Sequence, residues 1–266
     1  MSQSTDEDTE EARRLGFREP PVEITRACLI YMARVMEMRE VIGFYFNFVK
    51  TSQELGKAIP QEAHNTGQTL PPKGLEVLEY NFSKHRQIIN EIMLSRAVES
   101  FDLYVLNILR LIFESKPELL KSKKSVDVET LIALRTPEEI IYYLAERQIN
   151  ELGYKPLVEL RKWILERIGI DLFKNEEIFD VVLLATEVRN LISHNDCRAN
   201  EILAKRIGER TSMLDISEMG KVRISDEWLR RVAYTLDGVV FDFDVAVCGK
   251  FEVYRANRFG TFFLRD

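Results

Sequence analysis

The segment EVRNLISHN, residues 187–195, combines the residue types that can move a proton and stabilise a phosphate. An imidazole has an ordinary pKa of about 6.5, so His194 can accept or donate a proton at neutral pH. Arg189 supplies a fixed charge and several N–H donors, which suit the charge that develops on a phosphate oxygen. Together they suit RNA cleavage, because the 2′-OH attacks its own phosphate and the protein needs only a base, an acid and positive charge.

The spacing within this segment limits how the two side chains can cooperate. Residues five apart on a regular helix differ by about 140° in direction and about 7.5 Å in rise. Arg189 and His194 therefore do not share a helix face, whereas Asn190 and His194 do. A helix that ends or loosens near Ser193 would bring both side chains into one pocket. A second copy of the segment, from another chain, would complete the pair of acid and base.

The sequence offers little for other chemistries. His64 lies in a proline-rich stretch, where we expect a solvated side chain, and His85 lies on an apolar stripe, where we expect a core residue. No two histidines stand three to five residues apart, and no cysteine pair has zinc spacing. The sequence also lacks a GxxxxGK[ST] loop, a GxGxxG turn and a GxSxG elbow. We therefore expect no metal and no cofactor.

The stretch RNLISHN, residues 189–195, resembles the RxxxxH signature of the HEPN (higher eukaryotes and prokaryotes nucleotide-binding) superfamily, in which a polar residue often follows the Arg, as Asn190 does. The resemblance covers roughly residues 75–248. It implies an all-α helical bundle, dimeric, with the two motifs facing each other in a cleft at the interface. It also implies a metal-independent endoribonuclease of the kind found in toxin–antitoxin and phage-defence systems, with RNA as substrate and an antitoxin or defence protein as a further partner.

Four further residues are candidates for accessory roles in such a site. Asn195 or Ser193 could assist, and Asn190 could position either the phosphate or His194. Glu187 could orient His194 or could be an ordinary surface acid. Asp102 matches an acid that family members often carry, but Arg96, Glu99 and Asp102 are also spaced as an ordinary ladder of ion pairs on a helix.

Two other interpretations compete with a ribonuclease. The chain could be a non-catalytic HEPN-type module that dimerises or docks a partner protein, or an unrelated helical protein in which Arg189 and His194 are structural. An enzyme requires both side chains to point into a shared solvent-filled cleft. A structural role predicts that they are buried and paired within one chain.

Hydrophobic periodicity and capping residues predict the helices that must position these side chains. Thr136 is a predicted N-cap, and Gly153 and Gly169 are predicted helix ends. The helix over 175–193 is apolar on nearly every side, so we expect it at the centre of the fold. A small β-hairpin is predicted around Met219 and Gly220, and residues 58–73 are predicted to form a loop. The predicted helices cover residues 22–57, 74–115, 137–152, 156–169, 175–193, 199–210 and 225–247. Residues 74–115 are predicted to form either one long helix or two nearly collinear ones.

Composition places the chain among soluble globular proteins. It has 37 basic and 43 acidic residues among 266, a net charge of −6, so RNA binding would need a local site rather than a global positive field. The sequence has three distant cysteines, an acidic N-terminus unlike a signal peptide and no long apolar run, so we expect a cytoplasmic protein that does not interact with a membrane. We divide the chain into a disordered acidic tail, an N-terminal helix with a proline-rich loop, a HEPN-like domain and an unassigned tail, at residues 1–20, 21–73, 74–248 and 249–266.

Overall fold

A computed structural model describes residues 18–66, 73–121 and 125–258. The predicted all-α class is confirmed, since the described chain forms eight α-helices and one small antiparallel sheet of two strands. The strands are β1 (Glu23–Thr25) and β2 (Arg255–Asn257). The helices are α1 (Arg26–Thr66), α2 (Lys73–Ser115), α3 (Val128–Ala133), α4 (Pro137–Gly153), α5 (Leu157–Ile168), α6 (Glu176–Asn195), α7 (Glu201–Ile207) and α8 (Asp226–Lys250).

The two longest helices, α1 and α2, pack against each other as a hairpin, and α2 also packs against α4, α6 and α8. The first turns of α1 bury Ala27, Tyr31 and Val35 in the same core as the later helices. The N-terminal helix is thus part of the one hydrophobic core described here. No helix in the described ranges is long and apolar enough to cross a bilayer.

Helix α6 occupies the centre, as its apolar composition predicts. Asn175 caps it by accepting from the backbone N–H of Ile178, and two acids in the first turn complement the helix dipole. Nine of its residues are buried, on nearly every side. The predicted N-cap at Thr136 and the predicted helix end at Gly169 are also confirmed; Thr136 forms a capping box with Glu139, and Gly169 is left-handed with φ 69°.

Several predictions about the elements were wrong. The first helix was predicted to begin at residue 22, but residues Glu23–Thr25 form the strand β1. The Thr25 N–H donates to the Asp244 side chain of α8. Helix continues through Thr66, where we expected a loop; a single proline removes only one helical hydrogen bond. The remaining part of that expected loop, residues 67–72, lies outside the described residues. The short helix α3, capped by Asp127, was missed.

Residues near both ends of the described chain contact the rest of the fold, and the predicted hairpin is present. Residues 1–17 and 259–266 lie outside the described residues, but Arg18, at the end of the predicted tail, pairs with Asp242 of α8. The unassigned C-terminal segment contains β2, which pairs with β1. The expected hairpin forms as an antiparallel bridge between Ile216 and Val222.

Helix α8 carries two buried carboxylates that hold α1 and β1 in place. Asp244 is fully buried and accepts from the Thr25 N–H at 3.0 Å and from the Thr25 hydroxyl at 2.5 Å. Asp237, two turns earlier, accepts from the Tyr31 hydroxyl at 2.8 Å and from Arg39 Nη2 at 2.5 Å. Burial raises the pKa of both carboxyls, and their hydrogen bonds oppose this effect.

The substitution Asp244→Ala should lower the free energy of unfolding by about 3 kcal/mol, because it leaves two buried donors of Thr25 without an acceptor. Urea unfolding followed by circular dichroism measures this loss. Asp242→Ala is the matched control: Asp242, two residues away, pairs near the surface with Arg18 and Lys174, and removing both ion pairs should cost about 1 kcal/mol or less. Equal losses for the two variants would contradict the role assigned to Asp244.

The cost of Asp244→Ala should also depend on pH. Because burial raises the pKa of Asp244, its carboxyl keeps a proton to a higher pH in the folded chain than in the unfolded chain. Its contribution to stability is therefore complete below about pH 3.9 and falls as pH rises through the folded pKa. The loss caused by Asp244→Ala should be larger at about pH 5 than at about pH 8.

Candidate functional site

Arg189 links α6 to α2. Its Nη2 donates to Oδ2 of Asp102 at 2.5 Å, and its side chain is only 24% exposed. Its Nε is buried and has no hydrogen-bond partner within the described part of the chain. Burial raises the pKa of Asp102, and the adjacent Arg189 charge opposes that rise. The guanidinium is therefore fixed from one side, with further N–H groups left over.

His194 is placed differently. It lies in the last turn of α6, its side chain is exposed, and it makes no hydrogen bond or ion pair with any described residue. The helix stays regular through Asn195, so the loosening near Ser193 that would bring Arg189 and His194 together is not seen. Within one chain the two side chains leave the helix about 140° apart.

A strained turn fixes the end of α6. Asp196 and Cys197 both have left-handed backbone angles, φ 49° and φ 56°, which side chains other than Gly rarely adopt. The Cys197 N–H donates to the Leu191 carbonyl at 3.0 Å, and the Val222 N–H donates to the Cys197 carbonyl at 2.9 Å. These bonds hold the turn, and with it the direction in which the last turn of α6 presents its side chains.

The accessory candidates take separate places. Ser193 is exposed, whereas Asn195 is a turn residue whose Nδ2 donates to the Arg198 carbonyl at 2.7 Å. Asn190 is half-buried, one turn before His194 on the same side of α6. The expected ladder on α2 exists only in part: Arg96 pairs with Glu99 at 3.5 Å, but Asp102 faces the motif arginine instead.

Both interpretations of Glu187 were wrong. The residue is buried, at 7% exposure, and its carboxylate accepts from Arg206 Nη1 at 3.0 Å. It lies about 10.5 Å along the helix from His194, too far for a hydrogen bond between them. If Glu187 turned away from Arg206 to orient His194, its buried carboxylate would lose the cation that balances its charge.

The sequence does not show what the basic residues after the motif contact, whereas the structure shows two of them paired with acids of α6. Asp180, Glu187 and His194 are seven residues apart, so they lie on one side of α6. Arg210 binds Asp180 at 2.5 Å, and Arg206 binds Glu187. Two arginines thus lie along the side of α6 that carries Asn190 and His194. We call Asn190, His194, Arg206 and Arg210 the α6 ledge.

His85 was expected in the core but is exposed. The long helix α2 carries apolar residues on more than one side, and residues 88 and 92 of the same stripe are exposed as well. The side chain of His64 is outside the described part of the structure. In the described ranges no group of three or more His, Cys, Asp or Glu side chains is arranged to hold a metal ion.

The cysteine beside the motif is a poor nucleophile. Cys197 is completely buried, and burial raises the pKa of its thiol to about 11. Because the thiolate is the reactive form of cysteine, this thiol is inert at neutral pH. The groups beside the motif that can take part in chemistry are therefore the imidazole, the guanidinium groups and the amide of Asn190.

The different burial of Arg189 and His194 predicts different effects on stability. Arg189→Ala should lower the free energy of unfolding by about 2 kcal/mol, because Asp102 loses the cation that offsets its burial. His194→Ala should change it by no more than about 0.5 kcal/mol, because the imidazole touches no polar partner. Urea unfolding of both variants tests this difference. A large loss with His194→Ala would show that the imidazole packs against the protein.

Comparison with protein-family models, with curated proteins and with solved structures finds no match to this chain. Its function is therefore inferred from the contacts of α6 described above.

Proposed function

We propose that this protein is a metal-independent endoribonuclease that acts as a homodimer, with His194 as general base or acid and Arg189 as the group that stabilises the phosphate. The observation that supports the proposal best is the state of His194. It is an exposed imidazole without a protein partner, at the end of a buried helix whose turn is held in a strained conformation. A histidine with only a structural role would be expected to bind something.

Arg189 suits its role because Asp102 fixes it. Electrostatic stabilisation of a developing charge works best when the donor is already in place before the reaction. Asp102 takes one Nη2 bond, and the side chain is still 24% exposed, so another N–H of the guanidinium can donate to a phosphate.

The α6 ledge gives the RNA strand a path to His194. Arg206 and Arg210 are half-exposed, at 50% and 36% of their side chains, and each is oriented by a carboxylate of α6. Arginine offers five N–H donors, so each guanidinium can bind a phosphate oxygen and keep its carboxylate. Asn190, between Glu187 and His194 on that side, would donate its amide to the phosphate or to the imidazole.

The proposed reaction needs no group other than these side chains. A neutral imidazole removes the proton of the 2′-OH, the 2′-oxygen attacks phosphorus, and the bond from phosphorus to the 5′-oxygen breaks. A protonated imidazole then gives its proton to that 5′-oxygen. One chain has one such histidine, so a second copy of His194 supplies the second group. The resemblance of RNLISHN to the HEPN signature supports this assignment and a cytoplasmic role in toxin–antitoxin or phage defence, with an antitoxin or defence protein as a further partner.

One observation favours the second candidate, a non-catalytic module that dimerises or docks a partner protein. Arg189 is paired within its own chain, as a structural arginine would be. In this alternative Arg189 would only tie α6 to α2, and the purified protein would bind a partner without cleaving RNA. Cleavage that depends on His194 would exclude the alternative.

His194→Ala and Arg189→Ala should each slow cleavage of total RNA or tRNA by at least about 10²-fold, the usual cost of losing a positioned acid–base group or a charge donor. Gel electrophoresis of labelled RNA measures the rates. His85→Ala is the matched control, since it removes the other exposed histidine in the described chain and should leave the rate unchanged. Full activity in His194→Ala would refute the proposal.

Cleavage should proceed in excess EDTA and should leave 2′,3′-cyclic phosphate and 5′-OH ends, because the 2′-OH is the nucleophile. The rate should fall at low pH, because a general base must be unprotonated to accept the proton of the 2′-OH. DNA lacks the 2′-OH and should not be cut. An RNA with one 2′-deoxy nucleotide at the cut site separates the mechanisms: its cleavage at an undiminished rate, or a requirement for magnesium, would contradict the mechanism.

A further inference from the structure

The turn that follows His194 has a backbone conformation that is costly for its residues. Helices commonly end on one left-handed residue, which is usually Gly because Gly has no Cβ. Here two left-handed residues stand in succession, Asp196 and Cys197, and they are the two residues other than Gly with a positive φ in the described ranges. A Gly at position 196 would make the same turn without strain, so the path of the chain does not by itself account for the aspartate.

The turn is held against the hairpin of residues 215–223. The Cys197 side chain is buried, and its thiol donates to the Val222 carbonyl at 3.6 Å. The Ala199 N–H donates to the Gly220 carbonyl at 2.9 Å. Together with the bonds of the Cys197 backbone described above, these contacts over-determine the turn, which is the condition under which a strained backbone persists.

Lys221, in the same hairpin, joins the turn to α2. Its Nζ lies 3.7 Å from Oδ1 of Asp196 and 3.4 Å from Oε1 of Glu91. The Glu91 side chain is only 13% exposed and also accepts from Gln87 Nε2 at 2.9 Å, so this end of the link is fixed. The end of α6 is therefore tied to α2 through Lys221, in addition to the earlier link through Arg189.

Stability alone does not account for Asp196. Its side chain is 73% exposed, and besides the contact with Lys221 it lies 3.6 Å from Arg198 Nε. Exposed ion pairs at such distances contribute little to the free energy of unfolding, because solvent screens them. The strained backbone opposes that small gain. What the residue provides is a fixed direction of the chain at the end of α6.

We infer that Asp196 and Lys221 are positioning residues, which hold the last turn of α6 and thereby the Cα–Cβ direction of His194 relative to Arg189. The inference rests on the proposed function, because it assigns the turn to the site of that reaction. Displacing a reacting group by about 1 Å can cost on the order of 10²-fold in rate. In this role neither Asp196 nor Lys221 touches the substrate, and both act through His194.

The first test compares kcat and KM for RNA cleavage. Asp196→Gly permits the same left-handed angle without strain and removes the carboxylate; it should lower kcat by at least about 10-fold, with KM within about twofold and the melting temperature unchanged. Asp196→Asn should keep most of the rate, because Asn tolerates a left-handed backbone and its amide oxygen still accepts from Lys221. Glu218→Gly is the matched control: it alters an exposed residue of the same hairpin and should leave kcat unchanged.

The variant Lys221→Met tests the other end of the link. It should lower kcat in the same way, with some loss of stability because Glu91 loses its cation. KM should again stay within about twofold, because Lys221 is assigned to the turn and not to the substrate.

A further measurement does not depend on RNA cleavage. Amide hydrogen exchange reports how firmly the last turn of α6 is held. Exchange of the His194 N–H should be at least about 10-fold faster in Asp196→Gly than in wild type. Asp196→Asn and Glu218→Gly should exchange at the wild-type rate.

The outcomes separate the two proposals. Wild-type kcat in Asp196→Gly would overturn the inference, and so would a fall in kcat matched by a fall in melting temperature, which indicates a structural role alone. A raised KM with unchanged kcat in Lys221→Met would also overturn it, since Lys221 would then bind RNA. A wild type that cuts no RNA would refute the ribonuclease, whereas faster exchange in Asp196→Gly would still support the hold on the last turn.

Discussion

The position of α6 at the centre of the core is the constraint on which the rest of the structure depends. A helix that buries residues on nearly every side must be surrounded by other helices, so it leaves polar groups only where it emerges or where a partner offsets their burial. Arg189 is tolerated because Asp102 of α2 accepts from it, and Glu187 is tolerated because Arg206 donates to it. Only the two ends of α6 are well exposed: the first turn carries Glu176 and Glu177, which pair with Arg161 and Arg231, and the last turn carries His194. The burial of the middle of the helix therefore leaves the last turn as the place for the proposed acid–base chemistry.

The helical spacing of α6 also determines where its charged side chains lie. Because seven residues make almost two whole turns, Asp180, Glu187 and His194 follow one line along α6, and two arginines from the segment after the motif dock on the two acids. Arg206 and Arg210 thereby lie half-exposed beside the line of residues that ends at His194, and each is paired with an acid of α6. The proposed RNA binding by a chain with a net charge of −6 depends on this local arrangement rather than on an excess of basic residues.

The features that the sequence predicts well are those set by neighbouring residues. The cap at Thr136, the helix end at Gly169 and the all-round burial of α6 depend on residues within one or two turns, and all three are confirmed. The strand pair was missed because Glu23 pairs with Asn257, at the other end of the chain, and nothing in either segment specifies the other. The partners of the site were missed for the same reason: periodicity shows that Glu187 lies on a helix, but only packing decides that α7 brings Arg206 to it.

The pairing of Arg189 within its own chain is compatible with both a structural and a chemical role, and the two roles do not compete. A guanidinium that moved freely would have to be ordered at the moment of reaction, whereas one held by Asp102 has that cost met during folding. The buried, unpartnered Nε shows that folding alone does not use all of its donors. Asp102→Asn separates the roles, because an amide can still accept from Nη2 but no longer balances the charge. A guanidinium with an uncompensated charge should bind phosphate at least as tightly, so a stability loss without a loss of phosphate affinity would assign Asp102 to positioning Arg189 rather than to contact with RNA.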